Sequence, residues 1–258
     1  MTKDKFERVE IKYRLSKEQY DEMRKRLEPY MKVDEYGVSR ITSIYFDTPG
    51  YDLIRESLEK PVYKEKFRLR GYGEINDDST VFLELKKKYK RVVYKRRVAL
   101  KYKEAIDYIE KGIYPKDDSQ ILKEIDYFIH YYKPTSKTYI SCERIARYGI
   151  ENNEIRITFD KDIVGKLNEG RFVDVTGASP LLDPGERLME IKVPDALPLW
   201  LTGMLNDLKI YPQSFSKYGN ACTPLIDCDN RAESGLSAPV NDNLNYAIDA
   251  TQGGTITC

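Results

Sequence analysis

The sequence predicts an α+β protein built mainly on an antiparallel β-sheet. Three observations support this fold class. About eight short segments alternate apolar and charged residues, a few others repeat apolar residues at helical spacing, and no apolar run approaches the roughly 18 residues of a membrane-spanning helix. Hydrophobic residues make up 41% of the 258-residue chain and charged residues 33%. The chain can therefore form a core, and its charged share is above the usual level.

The first quarter of the chain gives the first strands and helices. Residues 7–15 alternate apolar and charged side chains, which predicts a strand. Residues 16–27 begin with a serine that can cap a helix and then carry apolar residues at helical spacing. Residues 41–46 form the next predicted strand, which ends at the turn signal of residues 47–50, and residues 53–58 form a short helix.

Three charged strands follow close together at residues 64–72, 80–88 and 92–100. In each, one face carries basic side chains with an occasional glutamate, whereas the other face is apolar. Residues 76–79 form the turn between the first two. The remaining pattern predicts helices at residues 103–111, 119–132 and 195–208, and strands at residues 138–147, 154–160 and 187–193.

The charges are nearly balanced over the whole chain. Lys and Arg number 43 and Asp and Glu 42, a net charge of +1 that argues against a strongly basic nucleic-acid binder. Residues 225–258 differ in kind, because they are polar and contain one arginine and five acidic residues. We therefore divide the chain into a domain at residues 1–224, with a net charge of +5, and a weakly acidic C-terminal tail at residues 225–258.

The residue types in the chain predict that any metal ion would be bound by carboxylates. The four cysteines form no CxxC pair, and the single His130 cannot build a histidine site, so structural zinc is not expected. Carboxylate ligands favour Mg²⁺ or Mn²⁺. The first residues lack the apolar region of a secretory signal, and unpaired thiols fit a cytoplasmic location.

The charged strand faces have two interpretations. Each can be a solvated surface, which is the ordinary arrangement for a half-buried strand. Alternatively, the charged faces turn inward in a closed barrel and line a tunnel. Buried cations without partners are costly, so a tunnel of this kind requires paired acids or a polyanionic occupant. Because the pattern recurs on strand after strand, we prefer the tunnel.

The order and spacing of nine segments carry a resemblance to a known family. The chain resembles the triphosphate tunnel metalloenzymes and, among them, the VTC domain, the polyphosphate-polymerase domain of the vacuolar transporter chaperone complex. Arg8 stands where the wider superfamily has the first glutamate of its N-terminal motif, which favours the VTC branch. The matching segments are Phe6–Tyr13, Ser43–Asp47, Phe67–Gly73, Phe82–Lys86, Tyr94–Arg97, Arg144–Ala146, Ile155–Asp160, Leu188–Lys192 and Ser214–Gly219.

The resemblance implies an eight-stranded antiparallel β-barrel that forms a tunnel with a charged interior, flanked by helices. It also implies a role for each matching residue. The catalytic residues would be Arg68, Arg70, Lys86, Arg144, Arg156 and Lys192. The substrate-binding residues would be Lys12, Lys95, Arg97, Ser216 and Lys217. The ligands of Mn²⁺ or Mg²⁺ would be Glu190, Glu84 and Glu10.

The activity implied by the resemblance is transfer of the γ-phosphate of ATP to a growing polyphosphate chain. Two alternatives stay open: a tunnel-type triphosphatase that hydrolyses inorganic or nucleoside triphosphate, and a non-catalytic module that binds polyphosphate or inositol phosphates. The expected partners are ATP, inorganic polyphosphate and a membrane protein of a polyphosphate-export system. No specific nucleic-acid partner is expected.

Overall fold

The computed structural model describes residues 9–90, 92–117, 119–167, 172 and 176–224. Residues 225–258 lie outside these ranges, so the division of the chain after residue 224 stays a prediction. Residues 7 and 8, which we placed in the first strand, also lie outside them. In the part of the chain that is described, no helix has the length and apolar content needed to cross a membrane.

The described residues form nine strands and six helices. The strands are β1 (Val9–Leu15), β2 (Met31–Asp47), β3 (Tyr63–Tyr72), β4 (Thr80–Tyr89), β5 (Val92–Lys101), β6 (Thr135–Gly149), β7 (Arg156–Leu167), β8 (Ser179–Pro180) and β9 (Arg187–Val193). The helices are α1 (Lys17–Leu27), α2 (Asp52–Leu58), α3 (Tyr102–Lys111), α4 (Gln120–Tyr132), α5 (Leu199–Asp207) and α6 (residues 217–224).

All the ladders of the sheet are antiparallel, and eight strands follow one another in the order β1-β9-β7-β6-β2-β3-β4-β5, with β8 paired to β7. The predicted α+β class and its eight strands are confirmed. Within the described ranges no ladder joins β1 to β5, so the sheet is open along this seam and the predicted closure of the barrel is not observed.

Strand alternation places the apolar side chains on the outer face of the sheet, where helices cover them. Phe67 and Leu69 of β3 are fully buried in a core that includes residues of α3 and α4. Ile191 of β9 is buried in a second core that includes residues of α1 and α5. These strands turn their apolar side chains toward the covering helices, as expected for alternating segments. The charged side chains therefore lie on the opposite, inner face.

The sheet curls around this inner face. The Lys12 Nζ atom on β1 donates to the Phe215 carbonyl over 2.9 Å, and the Lys66 Nζ atom on β3 donates to Ser216 Oγ over 3.1 Å. Because β1 and β3 stand first and sixth in the strand order, two consecutive residues can reach both only if the sheet is strongly curved. The predicted charged interior is thus confirmed as the concave face of a curled sheet.

The structure departs from the sequence prediction at several elements: β7 ends at Leu167 and not at residue 160, α5 begins at Leu199 and not at residue 195, and β8 was not predicted. Strand β2 begins at Met31, ten residues before the predicted start, and its polar residues 31–40 lack regular alternation. Helix α6 was not predicted either. It contributes Tyr218 and Cys222 to a third apolar cluster, in which they pack with Ile41, Tyr45 and residues of β6. The concave face is therefore apolar where α6 lies and charged elsewhere.

Candidate functional site

Acidic side chains organise the charged part of the concave face into three clusters. Each cluster follows from strand register, because residues directly opposite each other on neighbouring strands bring their side chains together. We call them the Glu84 cluster, the Asp160 cluster and the Glu10–Glu190 cluster.

In the Glu84 cluster, four basic side chains surround one carboxylate. Arg68 on β3 and Arg97 on β5 stand directly opposite Glu84 on β4. The Arg68 Nε and Nη2 atoms lie 2.8 and 2.6 Å from Glu84 Oε2. Lys95 Nζ lies 2.7 Å from Oε1, Arg97 Nε lies 3.4 Å from the same oxygen, and Arg70 Nε lies 3.9 Å from Oε2. The side chain of Glu84 is only 2% exposed, so these cations take the place of its solvent.

The neighbouring cations keep the Glu84 carboxylate ionised. Burial by itself would raise the pKa of Glu84, but Arg68, Arg70 and Lys95 lower it to about 2. Tyr45 adds a further contact, since its hydroxyl accepts a hydrogen bond from Arg68 Nη1 over 2.8 Å. Arg68 is therefore held from two sides in one orientation, and such preorganisation favours binding of a rigid anion.

The Asp160 cluster joins β6, β7 and α6. Arg144 stands opposite Asp160 in register and binds it in a bidentate manner, with Nε 2.5 Å from Oδ1 and Nη2 2.7 Å from Oδ2. Lys217 at the start of α6 contacts the same carboxylate. Burial opposes ionisation, yet Lys217 and Arg144 lower the pKa of Asp160 below its ordinary value. This ion pair holds the N-terminal end of α6 against the sheet.

The Glu10–Glu190 cluster is more open. Its two glutamates alternate with two lysines, because Glu10 pairs with Lys192 and Lys12 pairs with Glu190 between β1 and β9. Lys192 Nζ lies 2.7 Å from Glu190 Oε1, whereas the remaining contacts are between 3.9 and 4.0 Å. Burial opposes ionisation of Glu190, but Lys192 and Lys12 bring its pKa below the ordinary value. Glu10 is 34% exposed, so this cluster retains access to solvent.

Lys66 lies near these clusters and is placed by Ser216. Burial is the main cause that lowers its pKa, to about 8; Tyr45 opposes the shift, while Lys64, Lys12 and Lys86 add to it. Besides burial, the charge of Lys86 lowers the pKa of both Lys12 and Lys66, as expected if cations of β1, β3 and β4 face a common space. A polyanion in that space would offset their mutual repulsion.

The structure thus brings most of the predicted site residues onto one face. Arg156 stands opposite Lys192 in register and so shares this face, but it is exposed at the start of β7. The predicted roles of all these residues stay predictions. The other predicted site residues on the concave face are Glu10, Lys12, Arg68, Arg70, Glu84, Lys86, Lys95, Arg97, Arg144, Glu190, Lys192, Ser216 and Lys217.

The carboxylates differ in how well they could hold Mg²⁺ or Mn²⁺. Such an ion is typically bound by one or two carboxylates, with phosphate oxygens and water completing its shell. Glu10 and Glu190 on adjacent strands fit this arrangement. Both oxygens of Glu84 contact cations, so Glu84 is less well placed as a ligand. Across the described ranges no three acidic, histidine or cysteine side chains form a group that could hold a metal by themselves.

Sequence reasoning gave no role in the site to Asp160 and left Lys66 out of the predicted site. For both residues, the alternation of the strand indicates a position on the charged face. Asp160 ends the segment Arg156–Asp160 in phase with Arg156 on the strand face, and Lys66 shares its face with Arg68. The contact of Asp160 with α6 could not be read from this alternation, because it depends on tertiary structure.

The chain is similar to one known family over most of its length. A family model described as the VTC domain matches residues 7–226. No curated protein matches. A candidate adenylate cyclase from Bacillus halodurans is 13% identical, with 81% of this chain and 92% of that chain covered and a TM-score of 0.49. A protein from Pyrococcus horikoshii is also 13% identical, with 85% and 98% covered and a TM-score of 0.47.

A third solved structure is a candidate adenylyl cyclase from Hippeastrum with a dominant triphosphatase activity. It is 15% identical, 90% of this chain and 98% of that chain are covered, and the TM-score is 0.49. All three scores lie below 0.5, so these likenesses carry no further conclusion for this chain. The family match, by contrast, spans nearly all of the described residues.

Proposed function

Because the chain belongs to the VTC domain family, we propose that it is a polyphosphate polymerase that transfers the γ-phosphoryl group of ATP to the end of a polyphosphate chain. The observation that supports this most is the Glu84 cluster. One carboxylate is outnumbered there by four basic side chains, including three arginines, and arginine forks match phosphate oxygens bidentately.

The reaction requires little covalent chemistry from the protein. A terminal oxygen of the acceptor chain attacks the γ-phosphorus, a new P–O bond forms, and the bond to the β–γ bridging oxygen breaks to release ADP. Catalysis then depends on alignment and on neutralising the charge of the transferred group. Arg68 and Arg70 would bind the donor phosphates. Arg144, Lys86 and Lys192 would stabilise the transferred group or the acceptor.

A divalent ion belongs to the proposal. Glu190, with Glu10 beside it, would hold Mg²⁺ or Mn²⁺ together with phosphate oxygens, and the ion would neutralise charge on the phosphates. The residues of this chain keep separate tasks: Lys12 and Lys192 orient the two carboxylates, and Ser216 orients Lys66. A cytoplasmic location and a membrane-protein partner are further expectations of this function.

The test is incubation of the full chain with ATP and Mn²⁺, followed by gel electrophoresis stained for long phosphate chains and by assays for ADP and free phosphate. We expect long chains and ADP with little free phosphate. ADP with equimolar phosphate and no chains would identify a triphosphatase instead. Intact ATP, together with measurable binding of inorganic tripolyphosphate, would identify the non-catalytic binding module.

A further inference from the structure

Two aromatic rings end the row of basic side chains on the concave face. Arg68, Arg70 and Tyr72 follow one another at alternate positions of β3, so Tyr72 lies two residues beyond the last arginine, about 7 Å along the strand. Phe82 on β4 stands directly opposite Arg70. An aromatic residue on a strand face otherwise occupied by Glu84 and lysines is unexpected for a surface that binds only phosphate.

The two rings form a small group with Arg97. Their centroids are 5.9 Å apart at an interplanar angle of 80°, an edge-to-face arrangement. The Arg97 guanidinium lies 3.4 Å from the Phe82 centroid and 6.0 Å from that of Tyr72. Arg97 therefore covers Phe82, whereas Tyr72 is 41% exposed and presents an accessible ring beside a planar cation. Among the residues that the structure describes, neither ring belongs to one of the three apolar clusters.

The opposite part of the same row is occupied by the chain itself. Ser216 contacts Lys66, and the Tyr218 ring stacks on Tyr45 with centroids 4.6 Å apart. These residues lie across the concave face six positions of β3 before Tyr72. A ligand with a phosphate end and a bulky aromatic end would meet these side chains at the Lys66 side, whereas the Tyr72 side presents an exposed ring.

We infer that Tyr72, flanked by Phe82 and Arg97, is the stacking site for the base of a nucleoside triphosphate. The inference rests on the proposed function, and it sets the orientation of the nucleotide along β3. The phosphates lie against Arg70 and Arg68, and the ribose spans the step between Arg70 and Tyr72. Stacking tolerates any base because every base has a π-face, so the site recognises that a base is present more than which base it is.

The experiment compares a ligand that has a base with one that lacks it. Full-length chains are titrated calorimetrically with adenosine 5′-(β,γ-imido)triphosphate and separately with inorganic tripolyphosphate. The Tyr72→Ala variant is expected to bind the nucleotide analogue about 5- to 100-fold more weakly, as loss of one stacked base implies. Its affinity for tripolyphosphate is expected to stay within about twofold, because Arg68 and Arg70 are intact.

Three control variants separate the aromatic ring of Tyr72 from the general loss of a tyrosine and from loss of folding. Tyr72→Phe retains the ring and is expected to bind both ligands like the parent. Tyr94→Ala removes a tyrosine that is 51% exposed on the outer face of β5 and is expected to change neither affinity. Tyr72→Leu keeps an apolar side chain without a π-face, and it replaces Tyr72→Ala if thermal unfolding shows that the alanine variant is not folded.

Equal weakening of both ligands in Tyr72→Ala, or of neither, would overturn the stacking site while leaving the proposed function standing. Selective loss of nucleotide affinity in the Tyr94→Ala control would overturn it as well. A parent chain that fails to bind tripolyphosphate would contradict the proposed function itself, and the stacking site with it. The two failures are therefore distinguishable in one set of titrations.

Discussion

The Glu84 cluster and the Glu10–Glu190 cluster both place charged side chains on the concave face of the curled sheet, but they differ in charge balance and in exposure. In the first, a single carboxylate that is 2% exposed neutralises part of four basic side chains. In the second, two carboxylates and two lysines alternate, and one of the carboxylates is 34% exposed. The first region has surplus positive charge, whereas the second is balanced and accessible.

The difference separates two tasks that a triphosphate site requires. A surplus of fixed cations around a saturated carboxylate can bind phosphate but has no carboxylate oxygen to spare. A balanced, accessible pair of glutamates can exchange lysine contacts for a divalent ion. Under the proposed function, the same residue types would therefore serve as an anion-binding surface on β3–β5 and as a metal site on β1 and β9.

The largest expected effect comes from neutralising the acid of the first cluster. In Glu84→Gln, four cations lose their buried counter-charge, and we expect the free energy of unfolding to fall by about 3–5 kcal/mol. Urea titration followed by circular dichroism measures this change. Added tripolyphosphate should restore more stability to the variant than to the parent, because it supplies the missing negative charge.

A matched control separates this effect from the general loss of a carboxylate. Glu22→Gln breaks an exposed i,i+4 pair with Arg26 on α1 and is expected to cost only about 0.3–0.5 kcal/mol. If Glu84→Gln is no more destabilising than Glu22→Gln, Glu84 does not organise the cations, and the contrast between the two clusters fails.

The second cluster is tested by Glu190→Gln, for which we expect loss of turnover with stability less affected. Polymerisation should fall by about 100-fold or more, because an activating metal ion supplies several kcal/mol. Affinity for tripolyphosphate without metal should stay within a few-fold, since the Glu84 cluster is untouched. We expect Mn²⁺ to raise the melting temperature of the parent and to leave that of Glu190→Gln unchanged.

Glu143→Gln is the control for this experiment. Glu143 pairs with Lys161 and Arg40 away from both clusters, so turnover and the response to Mn²⁺ should match those of the parent. Parent-like turnover in Glu190→Gln would remove the metal assignment from this cluster. An equal loss in both variants would point to a general effect of charge on the sheet.

The smallest effect concerns Lys66, whose pKa is lowered to about 8 mainly by burial. The positive charge of a lysine is lost as the pH rises through its pKa, so affinity for tripolyphosphate should fall above about pH 8. One proton limits the slope to about tenfold per pH unit. Calorimetric titration at several pH values measures the slope, and Lys66→Arg should flatten it because an arginine keeps its charge.

Tyr45 requires a separate control, because its pKa is also lowered to about 8. Burial opposes that shift, and Arg68, Arg70 and Lys66 cause it. A phenolate at this position would also repel phosphate. The pH slope should persist in Tyr45→Phe if Lys66 is its source, and a flat profile in Tyr45→Phe would assign the slope to the tyrosine instead.

Much of the sheet could be predicted from the sequence, because a strand is easily recognised where charged and apolar residues strictly alternate. Strands β3, β4 and β5 lie within one residue of their predicted bounds. The same alternation placed Arg68 and Glu84 on the inner face. The clusters then follow from register, which brings these residues into direct opposition.

The rest depends on tertiary structure. Residues 31–40 have no regular alternation, and their strand forms only because β6 offers a pairing partner. Helix α6 contains Gly219 and Asn220, which have low helix propensity, and it is held by contacts from Lys217 and Tyr218 to the sheet. A sequence pattern carries neither the partner of a strand nor the docking place of a short helix.

The contact between Ser216 and Lys66 limits the length of the row of basic side chains that β3 leaves uncovered on the concave face. From Lys66, where α6 lies across the face, to Tyr72 the strand runs six residues, about 20 Å. Within this interval β3 presents Lys66, Arg68 and Arg70, and its next cation, Lys64, lies beyond the Ser216 contact. Under the proposed function, each phosphate unit added beyond this interval would contribute less binding free energy, so a long chain would be held mainly by its end.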